Sequence, residues 1–178
     1  MIVLNVFGGP GAGKSTSAAG LFHLMKNDGY RVELVTEYAK DIVWADRHKE
    51  LNDQLYITAK QNHRLFLLKE KVDYCITDSP LLLSLVYSRM MPSSFAPFVT
   101  DLFHEYDNVA FILKRHKPYL LFGRAQTEEE ARHLDTNILQ LVTKNVPPNR
   151  IIEIVGDNHA SDSMYTAFVE RKGFAHHV

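Results

Sequence analysis

The amino-acid sequence predicts an α/β fold, a parallel sheet with helices on both faces. Three observations predict it. Short apolar runs alternate with longer stretches of helical periodicity along the chain. The first run, Ile2–Phe7, is apolar except for Asn5, as expected of a strand covered on both faces. No linker, internal repeat or low-complexity stretch divides the 178 residues, which predicts one domain over 1–178.

After the first strand, Gly8–Gly13 is a turn, and Lys14–Asn27 reads as a helix stopped by Asp28–Gly29. Arg31–Val35 is the second strand, with Val32, Leu34 and Val35 on its apolar side. Glu37–Trp44 reads as a short helix and Asn52–Glu70 as a long one. In the long helix Tyr56, Ala59, His63 and Phe66 follow helical spacing, and so do Leu51, Leu55, Thr58 and Leu65; core packing is expected of Tyr56 and His63. Asp73–Thr77 is the third strand, Leu81–Arg89 a helix, Met91–Pro97 a loop and Phe98–Tyr106 a helix. Val109–Leu113 is the fourth strand. Thr127–Thr143 is a helix whose Thr127 and Glu130 form a capping box. Pro147–Pro148 breaks the chain before the fifth strand, Ile151–Val155, and a last helix covers about Ser161–Glu170.

Composition narrows the function classes. Hydrophobic residues make up 46% and charged residues 23%, which excludes a disordered or collagen-like chain. Lys and Arg number 20 against 21 Asp and Glu, so no global charge draws the protein to nucleic acid or anionic membrane; a local patch remains open. The single cysteine, Cys75, forms no intramolecular disulfide, fits a reducing compartment and reads as a buried strand residue. No apolar run approaches the roughly 18–20 residues of a membrane span. The first run is too short for a signal segment and lacks a basic flank, so a cytoplasmic protein is expected. Nine histidines show no H-E-x-x-H spacing and no Cys/His cluster, so structural zinc is not expected.

The chemistry starts at Gly8-Gly9-Pro10-Gly11-Ala12-Gly13-Lys14-Ser15, which matches G-x-x-x-x-G-K-[ST] between an apolar strand and a helix. Its glycines let backbone N–H groups point at phosphate oxygens, and the helix start adds its positive dipole end. Residues Gly8 to Ser15 with Thr16 are therefore the expected nucleotide-binding set. Lys14 reaches the β- and γ-phosphates, and the Ser15 hydroxyl ligates Mg²⁺. Asp78 follows the third strand, where an acidic residue holds Mg²⁺ directly or through water. Asp-Ser-Pro also suits a helix cap, and the two roles are compatible.

At this point the chain resembles the P-loop nucleoside and nucleotide kinase superfamily, in particular small phage-encoded kinase-like proteins and domains that phosphorylate ribosyl nicotinamide. The P-loop carries the resemblance. Val-Thr-Glu-Tyr-Ala-Lys-Asp (35–41), Thr-Asp-Ser-Pro-Leu (77–81) and Gly-Arg-Ala-Gln-Thr-Glu-Glu-Glu-Ala (123–131) follow in order. It implies a three-layer α/β/α kinase with a five-stranded parallel sheet in the order 2-3-1-4-5. It also implies a lid after strand 4, at about 114–130, and ATP with Mg²⁺ as cofactors.

The resemblance places Glu37, just after the second strand, near the acceptor hydroxyl, as base or positioner. That agrees with phosphoryl transfer being mainly positioning and charge stabilisation. The alternative is a solvated glutamate at a helix start. Many relatives carry an arginine after the acid of the third strand; Ser79 stands there, so the stabilising arginine must come from elsewhere. Residues 114–124 hold Lys114, Arg115, Lys117 and Arg124 and no acid. Arg124 and then Arg115 are the expected lid arginines, with Arg132 third, because a guanidinium fork chelates phosphate oxygens. Tyr38, Asp41, Gln61 and Arg64 are the acceptor-binding candidates, with Trp44, Tyr56 and His63 in the same region. Met90, Met91, Phe95 and Phe98 read as hydrophobic cover. Gly156–Asp157 is either an adenine-contacting loop or a plain turn.

Three functions follow. The first is transfer of the ATP γ-phosphoryl group to a hydroxyl of a nucleoside, nucleotide or related acceptor. The second keeps the chemistry but takes hydroxymethylated pyrimidines within DNA as a polymer acceptor, using the basic 114–124 segment. The third is a non-kinase ATPase or nucleotide switch. Against it stand the lack of N-K-x-D and L-S-G-G-Q segments and a length too short to add a helical lid domain to an AAA+ core.

Overall fold

The first apolar run becomes β1 (Ile2–Phe7), the central strand of the computed structural model, which describes residues 1–88, 91–116 and 128–171. Around it lie β2 (Val32–Val35), β3 (Tyr74–Thr77), β4 (Asp107–Arg115) and β5 (Ile151–Gly156). All neighbours pair in parallel, in the order β2-β3-β1-β4-β5. The helices are α1 (Lys14–Asn27), α2 (Tyr38–Trp44), α3 (Gln54–Phe66), α4 (Leu83–Val86), α5 (Phe95–His104), α6 (Glu128–Asn145) and α7 (Ala160–Glu170).

Period-two alternation on β1 feeds two cores. Leu4 and Val6 enter one with Ala18, Leu21 and Met25 of α1 and Met164 and Phe168 of α7. Val3 and Phe7 enter the other with Leu65 of α3, Phe103 of α5 and Ile138 and Val142 of α6. Asn5 interrupts this run at no cost in unmet hydrogen bonds. Its Nδ2 donates to Val109 O at 3.2 Å and to Asn108 Oδ1 at 2.9 Å. Buried Cys75 lies in β3, and burial pushes its thiol up to about 12, which keeps it protonated and unreactive.

Several expected boundaries move. The long helix stops at Phe66, not Glu70, because the next residues turn and Glu70 takes a left-handed φ of 65°. Its buried face is Thr58, Gln61 and Leu65, so Thr58 and Leu65 of the second stripe pack inward; Ala59, His63 and Phe66 of the first are exposed and Tyr56 is only half-buried, so His63 does not pack as expected. Of the expected Leu81–Arg89 helix, only Leu83–Val86 is helical among the described residues. The helix expected from Phe98 starts at Phe95 and ends at His104. Pro97 sits in its first turn, where a missing N–H leaves no intrahelical bond unmade. Phe95 is buried there but Phe98 is exposed, so only the first acts as cover. The fourth strand runs on to Arg115, because β5 pairs with it as far as Gly156. Thr127, Met90 and residues 117–127, hence Lys117 and Arg124, lie outside the described residues. No helix among the described residues is long and apolar enough to cross a membrane.

Phe168 anchors the first core. It is fully buried, with the rings of Tyr30 and Tyr74 each at 5.1 Å and edge-on. Phe168→Ala is expected to lower stability by about 3–5 kcal/mol, read as a lower urea midpoint with an unchanged slope.

Candidate functional site

The carboxyl ends of β1, β2 and β3 meet at one edge of the sheet, where open parallel sheets take their ligands. From β1 the chain curls through residues 8–13 into α1. Gly11 and Gly13 have φ of 77° and 96°, a region that side chains with a Cβ rarely adopt. Ala12 is buried, and its carbonyl lies 3.0 Å from where a Cβ on Gly156 would stand, so the end of β5 packs against the loop. Pro10 is half-buried; Gly11, Ser15 and Thr16 are exposed. Lys14 opens α1, and its Nζ donates to Gly8 O at 2.8 Å and Gly9 O at 3.2 Å. Burial holds its ammonium below the usual lysine range, partly offset by Glu37 and Asp78.

Glu37 follows β2 and stands at the start of α2 with extended backbone and no capping bond from its side chain. Burial raises its carboxyl above the usual glutamate range; Lys40 and Lys14 oppose this and Asp78 adds to it. Asp78 follows β3 and is 2% exposed. It does not cap α4, whose N-terminal flank is Leu82. Its Oδ1 is buried with no hydrogen-bond partner among the described residues. A buried carboxylate oxygen left open in this way suits a metal ion or its water. Ser15 and Asp78 thus fit Mg²⁺, whose remaining ligands phosphates and water would supply. No group of three or more His, Cys, Asp or Glu side chains that could hold a metal occurs among the described residues.

Lys40 was not singled out from the sequence. It lies one helical turn beyond Glu37 on α2, and its Nζ bonds Ser15 Oγ at 2.6 Å. The same ammonium lies 3.4 Å from Asp78 Oδ2 and 3.8 Å from Glu37 Oε2. One cation therefore joins all three groups. The available signal was the Glu37–Lys40 spacing of three on a short helix.

Arg115 ends β4 with its side chain only 7% exposed, and its Nε pairs with Asp135 Oδ2 of α6 at 3.0 Å. Its Nη2 donates to Pro10 O at 2.9 Å. Asp135 Oδ1 in turn accepts the Gly9 N–H at 2.7 Å. A Cβ on Gly9 would lie 2.3 Å from that oxygen, so only glycine admits the contact. Arg115 therefore braces the outside of the P-loop here, where a mobile lid group was expected. Arg132 is exposed on α6.

The acceptor candidates cluster around α2. Gln61 is buried; its Oε1 accepts Tyr38 N–H at 2.9 Å and its Nε2 donates to Thr36 O at 3.3 Å and Thr77 Oγ1 at 3.4 Å. Its amide is thereby committed to holding the β2–α2 turn. Arg64 donates to Thr36 O at 3.0 Å, pairs with Asp41 and lies 5.2 Å from the Tyr38 ring centre. The hydroxyls of Tyr38 and Tyr56 are bonded at 2.8 Å. Trp44 is 84% exposed at the end of α2. Asp157 Oδ1 accepts the His159 N–H at 2.8 Å, a local turn contact.

No curated protein matches the sequence. Among solved structures, the chain is similar to "Crystal structure of NadR protein in complex with NR" at 15% identity and a TM-score of 0.66. The likeness covers 92% of this chain and 50% of that one, so the chain spans half the length of that structure. It shows a shared fold, the P-loop kinase-type α/β sandwich with strand order 2-3-1-4-5. A family model described as "AAA domain" matches residues 3–157, from the start of β1 to the residue after β5. The match takes in the P-loop, Glu37, Lys40 and Asp78 together, and the chain belongs to this AAA domain family of P-loop proteins.

Proposed function

We propose that this protein is an ATP- and Mg²⁺-dependent phosphotransferase that moves the γ-phosphoryl group to a hydroxyl of a nucleoside, nucleotide or related small acceptor. One observation carries the reading: adjacent strands β2, β3 and β1 deliver Glu37, Asp78 and the P-loop to one edge. In the reaction the acceptor oxygen bonds to Pγ, the bond from Pγ to the β–γ bridging oxygen breaks, and ADP leaves. Glu37 orients the acceptor hydroxyl and takes its proton; burial has already made this carboxyl more basic than an ordinary glutamate. Lys14 turns from the Gly8 and Gly9 carbonyls to the β- and γ-phosphates. Mg²⁺, when bound, neutralises phosphate charge; Ser15 and Asp78 are the residues that would hold it. Tyr38, with Asp41, Gln61 and Arg64 behind it, forms the wall on the acceptor side. Arg124 remains the proposed lid arginine.

The "AAA domain" description favours a second reading, a non-kinase ATPase or nucleotide switch that does not depend on Glu37. The polymer-acceptor reading gains nothing from the start of the basic segment, since Lys114 pairs with Glu153 and Arg115 with Asp135.

ADP release in ATP and Mg²⁺ is the test, run with a panel of nucleosides, nucleotides and hydroxymethylpyrimidine-containing DNA. We expect stimulation by a small acceptor, with a fall of about 10²-fold or more in Lys14→Ala and about 10²–10⁴-fold in Glu37→Gln. Release that ignores every acceptor and survives Glu37→Gln identifies the ATPase, and stimulation by DNA alone identifies the polymer kinase. A third expectation concerns pH. Because the folded Glu37 carboxyl is raised, its proton acceptor is lost as pH falls at a higher value than for an ordinary glutamate. The acid limb of kcat/KM should lie above the usual carboxylate range and vanish in Glu37→Gln.

A further inference from the structure

We infer that Lys40 is a built-in substitute for the divalent cation: its ammonium occupies the cation position between Ser15 and Asp78 and must leave when the metal arrives. The inference rests on the proposed assignment of Ser15 and Asp78 to Mg²⁺.

Three observations support it. The Lys40 ammonium donates to Ser15 Oγ at 2.6 Å, the same atom that a P-loop metal takes. It also faces Asp78 Oδ2 at 3.4 Å, on a carboxylate that is 2% exposed and needs a positive partner. The Lys40 side chain is itself 46% exposed, so it has an open path out of the site. A Mg²⁺ ion binds oxygen at about 2.1 Å, and an ammonium bonded to that oxygen and facing the same carboxylate would be crowded and repelled. Metal and Lys40 are therefore alternatives. Lys40 keeps the buried carboxylate compensated before loading and lets phosphates enter a site that already contains a cation. Once expelled, it remains tethered one helical turn from Glu37, beside the acceptor end.

Binding of a non-hydrolysable ATP analogue, measured calorimetrically in excess Mg²⁺ and in EDTA, tests this without turnover. The readout is the ratio of the two dissociation constants. In Lys40→Met, affinity in EDTA should fall about tenfold or more while affinity in Mg²⁺ holds or tightens, so the ratio rises by at least about tenfold. Lys40→Arg, which keeps the charge, should stay near wild type, as should Lys26→Met, which removes an exposed surface charge paired with Glu33. A ratio unchanged in Lys40→Met overturns the inference, and both constants weakening by one factor leaves Lys40 an ordinary phosphate-binding lysine. Asp78→Asn separates this from the underlying assignment. If it collapses the metal dependence while Lys40→Met does nothing, only the role of Lys40 fails. If it too leaves the ratio unchanged, the placement of the metal fails, and the inference with it.

Discussion

All five strands run in the same direction, so every strand-to-helix turn on the carboxyl side opens on one edge of the sheet. That constraint makes a site out of residues far apart in sequence. β1 is held between β3 and β4, with its side chains locked into cores on both faces. The P-loop therefore starts from a rigid base. β3 and β2 follow in order beside it and carry Asp78 and Glu37 to the same edge. A site built on strand ends keeps tighter geometry than one built on free loops.

Charge organises that edge. Two carboxylates, one of them buried, are tolerated because Lys14 and Lys40 lie among them. Lys14 is kept from its full basicity by burial, and Glu37 is kept from full acidity by the same cause. The site is thus a balanced set in which each charge lies beside an opposite one. On the buried Asp78 carboxylate Lys40 faces Oδ2, while Oδ1 has no hydrogen-bond partner among the described residues.

Around that set lies a layer of groups whose bonds set positions. Gln61 holds the β2–α2 turn through Tyr38 and Thr36, and so fixes where Glu37 stands. Arg115 and Asp135 hold the back of the P-loop at Pro10 and Gly9, and tie it to α6. Since α6 begins directly after residues 117–127, that ion pair also links the P-loop to the helix that follows them. Gly9 admits the contact because it has no side chain to exclude the carboxylate.

The phosphate-binding loop was legible in the sequence because its function depends on backbone geometry, which glycine spacing encodes locally. The alternation of strands and helices was legible for a similar reason: burial on both faces of a strand, or on one face of a helix, leaves a short-range pattern. Asp78 and Glu37 could be picked out as acids just past strand ends. The strand order came from the resemblance carried by the motifs, and the sheet agrees with it. The parts that failed depended on distant partners. Two stripes of α3 obey helical spacing, and the choice between them falls to the partners: Gln61 bonds Thr36 and Thr77, and Leu65 packs in one cluster with Val35 and Cys75, so His63 turns outward. Arg115 reads from the sequence only as part of a basic run; its pairing with Asp135, twenty residues later, and through both with Gly9 and Pro10 exists only in the fold. Lys40 was an unremarked lysine until folding brought Ser15 and Asp78 to it from two other elements. Sequence by itself determined which chemistry is available, since backbone curl and burial periodicity are local. Tertiary structure alone decided which charges meet, since ion pairs form across strand order and not along the chain.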